Sequence, residues 1–218
     1  VTDLVAEQER VLVHEIMPAL REQGIELSAW HELDNDDQAE LSERFRDRIF
    51  PVLTPLAVDP GHPFPYVSDL SLNLAVVVRD PRDERELFAR VKVPNTLPRW
   101  LQIADTDRFV PIEEVIAAHL DQLFPGMEVQ EHHAFRVTRN ADLSDALDEA
   151  DDLLSAVEYE LRRRRFGRAT RLEVDASMTD EVLDLLIGEF DLDPSAVYVA
   201  RTPLDPTSFN EIADIERP

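Results

Sequence analysis

FPVLTPLAVDPGHPFPYVSDLSLNLAVVVR, residues 50–79, carries Pro51, Pro55, Pro60, Pro63 and Pro65, and Pro81 closes the segment. Two apolar pieces run between these prolines, Val52–Val58 and Leu70–Val78. The second alternates apolar and polar residues and then becomes wholly apolar, which predicts a strand that enters half exposed and ends buried. Proline fixes φ and biases the preceding residue toward extended geometry. Asp59–Pro65 is therefore a stiff, irregular connector shaped by its own covalent structure. Such a connector beside a buried strand either carries a site or fixes how two elements meet.

The chain of 218 residues has room for one ordinary domain, or one domain and a piece of another. With 44% hydrophobic residues it can bury a sizeable core. Asp and Glu number 46 against 22 Lys and Arg, a net charge of −24, and Lys92 is the single lysine. A field this negative repels nucleic acid, polyanions and anionic membranes unless a local basic patch overrides it. There is no cysteine, so disulfide and thiolate chemistry are excluded, which fits a cytoplasmic protein. No apolar run approaches the roughly 18–20 residues a membrane span needs. The first residue, Val1, and the tail after Asn210 are read as boundaries of a piece of a longer chain.

Residues 2–23 read as a helix, with apolar residues at helical spacing, a kink at Pro18 and Gly24 as the stop. Ile25–Trp30 reads as a short strand. Asp34 opens a helix through Ile49 with acids in its first turn, and Phe50-Pro51 ends it. Phe88–Val93 and Trp100–Ile103 read as strands that join Leu70–Val78 in an antiparallel meander. Phe109-Val110 is a short strand, and Pro111 starts a helix through Leu123. The second half alternates: strand Met127–Thr138, long helix Asp142–Arg165, strand Arg171–Asp175, helix Thr179–Phe190, strand Ala196–Arg201, helix Pro206–Ile215. That alternation implies at least partly parallel pairing. The fold class is α/β to α+β, a mixed β-sheet flanked by helices and preceded by an N-terminal helix. No glycine-rich nucleotide loop is present.

Three constellations could carry chemistry. Asp59, His62 and Asp69 offer a histidine between carboxylates, but their spacing matches no compact metal motif. The plainer reading gives Asp59 a turn and His62 a bond to the loop backbone. His132 and His133 are adjacent and face opposite sides of a strand; they read as surface strand residues. Arg162, Arg163, Arg164 and Arg165, with Arg168 and Arg171, form the one dense basic patch. They end a helix that begins acidic, as the helix dipole favours. They could also grip phosphate oxygens or an acidic interface. Trp30, Trp100 and Phe88 read as core or interface anchors.

The stretch 50–76, the run Leu161–Val174 (LRRRRFGRATRLEV) and the tail Asn210–Pro218 (NEIADIERP) together resemble the bacterial polyphosphate kinase family that autophosphorylates on histidine. The likeness is to its head, or middle, domain. It implies that residues 1–24 end an N-terminal helical domain and residues 25–218 form the head domain. It further implies a whole enzyme that moves the terminal phosphate of ATP, with Mg²⁺, onto polyphosphate through a phosphohistidine lying beyond Pro218. The chain itself would then be non-catalytic and without a cofactor. Its work would be homodimerisation and the shaping of a substrate channel, in a cytoplasmic enzyme able to associate with membranes. Two other readings remain: a polyphosphate- or protein-binding module using Arg162–Arg165, and a metal-dependent phosphoesterase built on Asp59, His62, Asp69 and a nearby histidine.

Overall fold

The computed structural model describes residues 2–58, 64–140 and 167–215. The predicted helix Asp142–Arg165, with the arginine run Arg162–Arg165, lies outside these residues, as do Asp59 and His62.

The first helix is one rod in three parts, α1 (Thr2–Val11), a π-helical turn (Leu12–Ile16) and α2 (Met17–Glu22). Pro18 has no N–H for the residue one turn back, and the wider π turn sits immediately before it. Gly24, at φ +80°, ends the rod in a conformation that costs glycine nothing. β1 (Glu26–Leu27) is shorter than the predicted strand, and a 3₁₀ turn takes Trp30–Glu32. α3 (Asn35–Arg44) starts as predicted, because the Asp34 carboxylate accepts from the backbone N–H groups of Asp36 and Asp37. The helix reaches Ile49 through a second π turn, Phe45–Ile49.

Among the described residues, nine strands make two sheets. The larger has the order β2 (Pro55–Val58), β4 (Glu86–Lys92), β3 (Leu72–Arg79), β7 (Glu128–Arg139), β8 (Ala169–Asp175), β9 (Val197–Ala200). The smaller pairs β1 in parallel with β6 (Arg108–Pro111), and β6 antiparallel with β5 (Trp100–Gln102). The predicted meander is thus broken after two strands. β4 pairs with β3 on one edge, but its other edge is taken by β2, with Pro55 opposite Val91. Trp100–Gln102 cannot add there, and the Pro94–Pro98 connector carries it to the second sheet. Pairing in the second half is parallel only for β8 with β9; β7 and β8 run antiparallel.

Both faces of the large sheet are covered. On one lie α3, its π turn, α4 (Ile112–Ala117), α5 (Leu120–Leu123) and the small sheet, packed on Leu74, Val76, Val78, Ala89 and Val91. On the other, α6 (Asp180–Phe190) sets Val182, Leu186 and Phe190 against Ala75, Phe88, Phe135, Val137, Leu172 and Val174. The Thr179 hydroxyl caps α6 as predicted. β3 therefore reverses the expected gradient: it is buried on both faces from Leu72 to Val76 and loosens only at Val77 and Arg79. Even Asn73 is wholly buried, its amide donating to Ser71 O at 2.8 Å.

The predicted helix Pro111–Leu123 is interrupted at Ala118-His119. His119 is buried, stacked on Phe45 with ring centroids 4.4 Å apart and edge-on to Trp30. Its Nδ1 lies 2.7 Å from Val115 O, a carbonyl that can only accept, so that nitrogen bears the proton. Next to it, burial pushes the Glu114 carboxyl above its ordinary value, opposed by the Trp30 N–H that the carboxylate accepts. A carboxyl whose pKa rises on folding costs stability once pH exceeds the folded value, and costs none below the unfolded one. Glu114→Gln keeps an acceptor for Trp30 and removes the buried charge. It should melt above the parent at pH 8, with the gap closing toward pH 4; a lower midpoint at pH 8 would show that the charged hydrogen bond outweighs burial.

At the chain's end, a 3₁₀ turn (Pro206–Phe209) and α7 (Asn210–Ala213) replace the single predicted helix. Glu211 accepts from the backbone N–H of Arg99 and of Trp100, tying α7 to β5. The N-terminal rod is tied in as well, by Arg201 N–H donating to the Glu9 carboxylate at 2.7 Å.

Candidate functional site

The segment that follows the proline run, Tyr66–Leu70, is gripped residue by residue. Arg90 donates to Tyr66 O at 2.8 Å, Arg139 Nε to Val67 O at 2.8 Å, and Lys92 Nζ to Ser68 Oγ at 3.4 Å. Asp69 accepts from the backbone N–H of Arg139 at 2.7 Å, and Leu70 O accepts from Arg136 Nε at 3.0 Å. Four basic residues of β4 and β7 thus contact five consecutive residues, Asp69 through the backbone N–H of Arg139 and the others through side chains. Arg139 also lies over the Tyr66 ring, 4.7 Å from its centroid, a cation–π contact. Leu70 is held at φ +56°, a region a leucine enters only under constraint. Its N–H donates to Val137 O, so both its peptide groups are pinned.

The grip has a chemical side. Arg90 is buried, and its Nε finds no acceptor. Burial pulls its guanidinium below the ordinary value. In this strongly acidic chain the segment gathers Arg90, Lys92 and Arg139 on one sheet face.

Beside the segment opens a cleft of about 460 Å³, lined by Ser68, Asp69, Lys92, Asn95, Arg99, Asp205 and Glu211 among others. Its charges are mostly spoken for. Arg99 forms a buried two-pronged pair with Glu113, while Asp205 accepts from the Thr207 hydroxyl and faces Arg136 at 3.3 Å.

The other sequence candidates separate. Asp69 is engaged by the backbone of Arg139, and its proposed companions Asp59 and His62 lie outside the described residues. His132 and His133 do face opposite ways, but His133 is not on the surface: it is buried, with Nδ1 3.1 Å from Ser177 Oγ and Nε2 2.8 Å from a Glu131 oxygen. That is a serine, a histidine and a carboxylate in sequence, the parts of a nucleophilic relay. An acyl-transfer site also needs donors for an oxyanion. Here the N–H of Ala176 is bound to Ala200 O, that of Ser177 to the Asp175 carboxylate and that of Met178 to Asp175 O. The trio pins β7 to the turn before α6. Arg168 lies on the surface, 3.7 Å from Asp191, and Arg171 stacks on Tyr198 while pairing with Glu173. Trp100 and Phe88 are buried and Trp30 packs on the core, as predicted.

The mixed sheet with helices on both faces and the clamped segment Tyr66–Leu70 belong to a chain whose family is shown by its relatives. The family described as "Polyphosphate kinase middle domain" matches residues 36–212, and the chain belongs to it. It is 55% identical over 216 residues to the polyphosphate kinase of Streptomyces coelicolor, covering 99% of this chain and 29% of that protein. To the polyphosphate kinase of Mycobacterium avium it is 50% identical over 220 residues, covering 96% of this chain and 30% of that one. The crystal structure of polyphosphate kinase from Porphyromonas gingivalis superposes with a TM-score of 0.74 at 26% identity, over 100% of this chain and 32% of that one. The chain thus spans under a third of the length of these relatives.

Proposed function

We propose that this chain is the non-catalytic middle domain of an enzyme that transfers the terminal phosphate of ATP to polyphosphate through a phosphohistidine carried elsewhere in the longer protein. Its own work is architectural: it holds two subunits together and forms one wall of the channel along which the phosphate chain runs. The observation that carries this reading is the clamp. The residues that follow the proline run are held in place by three arginines: Arg90 binds Tyr66 O, Arg139 binds Val67 O and the Asp69 carboxylate, and Arg136 binds Leu70 O. Relatives named polyphosphate kinase, each more than three times as long, leave ample chain for the chemistry. Mg²⁺ and ATP belong to that chemistry. Among the described residues no three His, Asp or Glu side chains converge as a metal site would require, and no helix is long and apolar enough to cross a membrane.

The test is to incubate the purified chain with Mg²⁺ and ATP labelled at the γ-phosphate. Neither the protein nor any long polymer should take up label. Label on either would place the chemistry on this chain and overturn the reading. Sedimentation across a concentration series checks the subunit contact, and a strict monomer at high concentration would remove dimerisation from this domain.

A further inference from the structure

We infer that the cleft beside Ser68 and Lys92 is an oxyanion subsite that takes one phosphate group of a phosphate chain, with the Lys92 ammonium as its charge. This deepens the proposed function and rests on it.

The first ground is a pairing of charges. Each carboxylate lining the cleft already has a partner. Asp69 is bound by the Arg139 N–H, and Asp205 by Arg136 and the Thr207 hydroxyl. Glu211 is bound by the N–H groups of Arg99 and Trp100. The other cation of the cleft, Arg99, is matched by Glu113. Lys92 is the charge left over. Among the described residues its ammonium meets no carboxylate, only Ser68 Oγ at 3.4 Å. Two residues earlier, on the same face of β4 and against the same segment, Arg90 is also without a carboxylate, with its Nε unpaired. Arg90 is buried behind the segment and does not line the cleft, so Lys92, half-buried and facing no carboxylate among the described residues, is the cation that an anion in the cleft would meet.

The second ground is the kind of donor present. An ammonium is a compact charge with three donors that can turn to meet a phosphate oxygen. Ser68 accepts from Lys92, so its own hydroxyl proton is free to donate, and Asn95 offers an exposed amide at the rim. A charge and two neutral donors suit one phosphate group. The rest of this acidic surface repels a polyanion, which confines contact to places where the carboxylates are already engaged.

Lys92 is the chain's single lysine, so its accessibility can be read alone. The 218-residue chain is acetylated with an amine-reactive ester, and Lys92 and the α-amine are followed by peptide mass spectrometry. Polyphosphate should slow Lys92 acetylation about fivefold or more while leaving the α-amine unchanged, the order of one charge-assisted bond in a half-open site. Orthophosphate and MgATP are run as separate arms. Protection by polyphosphate alone assigns a polymer; equal protection by MgATP assigns a nucleotide's triphosphate tail. One rate in every arm overturns the subsite. Independently, Lys92→Gln should weaken polyphosphate binding about fivefold and flatten its salt dependence by about one counter-ion, with Lys92→Arg retaining most of both. Unchanged binding by Lys92→Gln at an unchanged melting midpoint also overturns it. Neither readout involves label transfer from ATP, so a failure here is distinct from a failure of the proposed function.

Discussion

Arg99→Met should lower the unfolding free energy by about 3–5 kcal/mol, the cost of stranding one member of a buried ion pair. Arg99 and Glu113 have side chains only 8% and 9% exposed, and they meet through two parallel bonds. Removing the guanidinium leaves the Glu113 carboxylate in the core without a counter-charge. The pair itself is a weak source of stability, since desolvating both groups offsets most of their attraction. Arg99→Met with Glu113→Leu should therefore recover most of the loss. Urea unfolding of both single variants and the double variant measures this directly. A double variant as unstable as the sum of the singles would mean that the two residues act independently and that no stranded charge causes the loss.

Gly167→Ala should be comparably damaging, at about 3 kcal/mol or more. A methyl group on Gly167 would lie 2.0 Å from Asn140 O and 3.0 Å from the carbon of the same carbonyl. Backbone cannot swing aside as a flexible side chain does. The approach is fixed from both ends, by Asn140 N–H donating to Arg168 O at 2.8 Å and by Arg139 donating to Gly167 O at 2.9 Å. The displaced strand ends are those that join β7 to β8, so the Arg139 grip on Val67 should loosen together with them. Chemical denaturation of Gly167→Ala, with Gly167→Ser as a second side chain carrying the same Cβ, gives the measurement. A midpoint within about 0.5 kcal/mol of the parent would show that the backbone yields at this point.

Local chemistry was legible in the sequence. The Asp34 and Thr179 caps, the Gly24 stop and the strands at 128–139 and 169–175 follow from signals a few residues long. Pairing was less so. Trp100–Gln102 reads as well for a third meander strand as for the second sheet, and only the occupation of the β4 edge by residues 55–58 decides it. Burial on a second face is equally silent: Asn73 and His133 look like outward polar positions, yet both are buried. The clamp was hidden for a different reason. Its donors are spread over residues 90–139, and its acceptors are mostly backbone carbonyls, which every residue has. The proline run marked Asp59–Pro65 as stiff and said nothing of Tyr66–Leu70, the residues that the clamp holds. The arginine run drew notice by its density, whereas Lys92 stands out because no carboxylate among the described residues meets it, a property of the fold.

β3 is a wall common to two rooms. Leu74, Val76 and Val78 serve one core, while Ala75 serves the other, and β4 and β7 flank the strand over nearly its whole length. Neither core can open without baring a face of this strand to water, so melting of one takes away the support of the other. The fold is thereby made cooperative, and both cores should melt in a single transition.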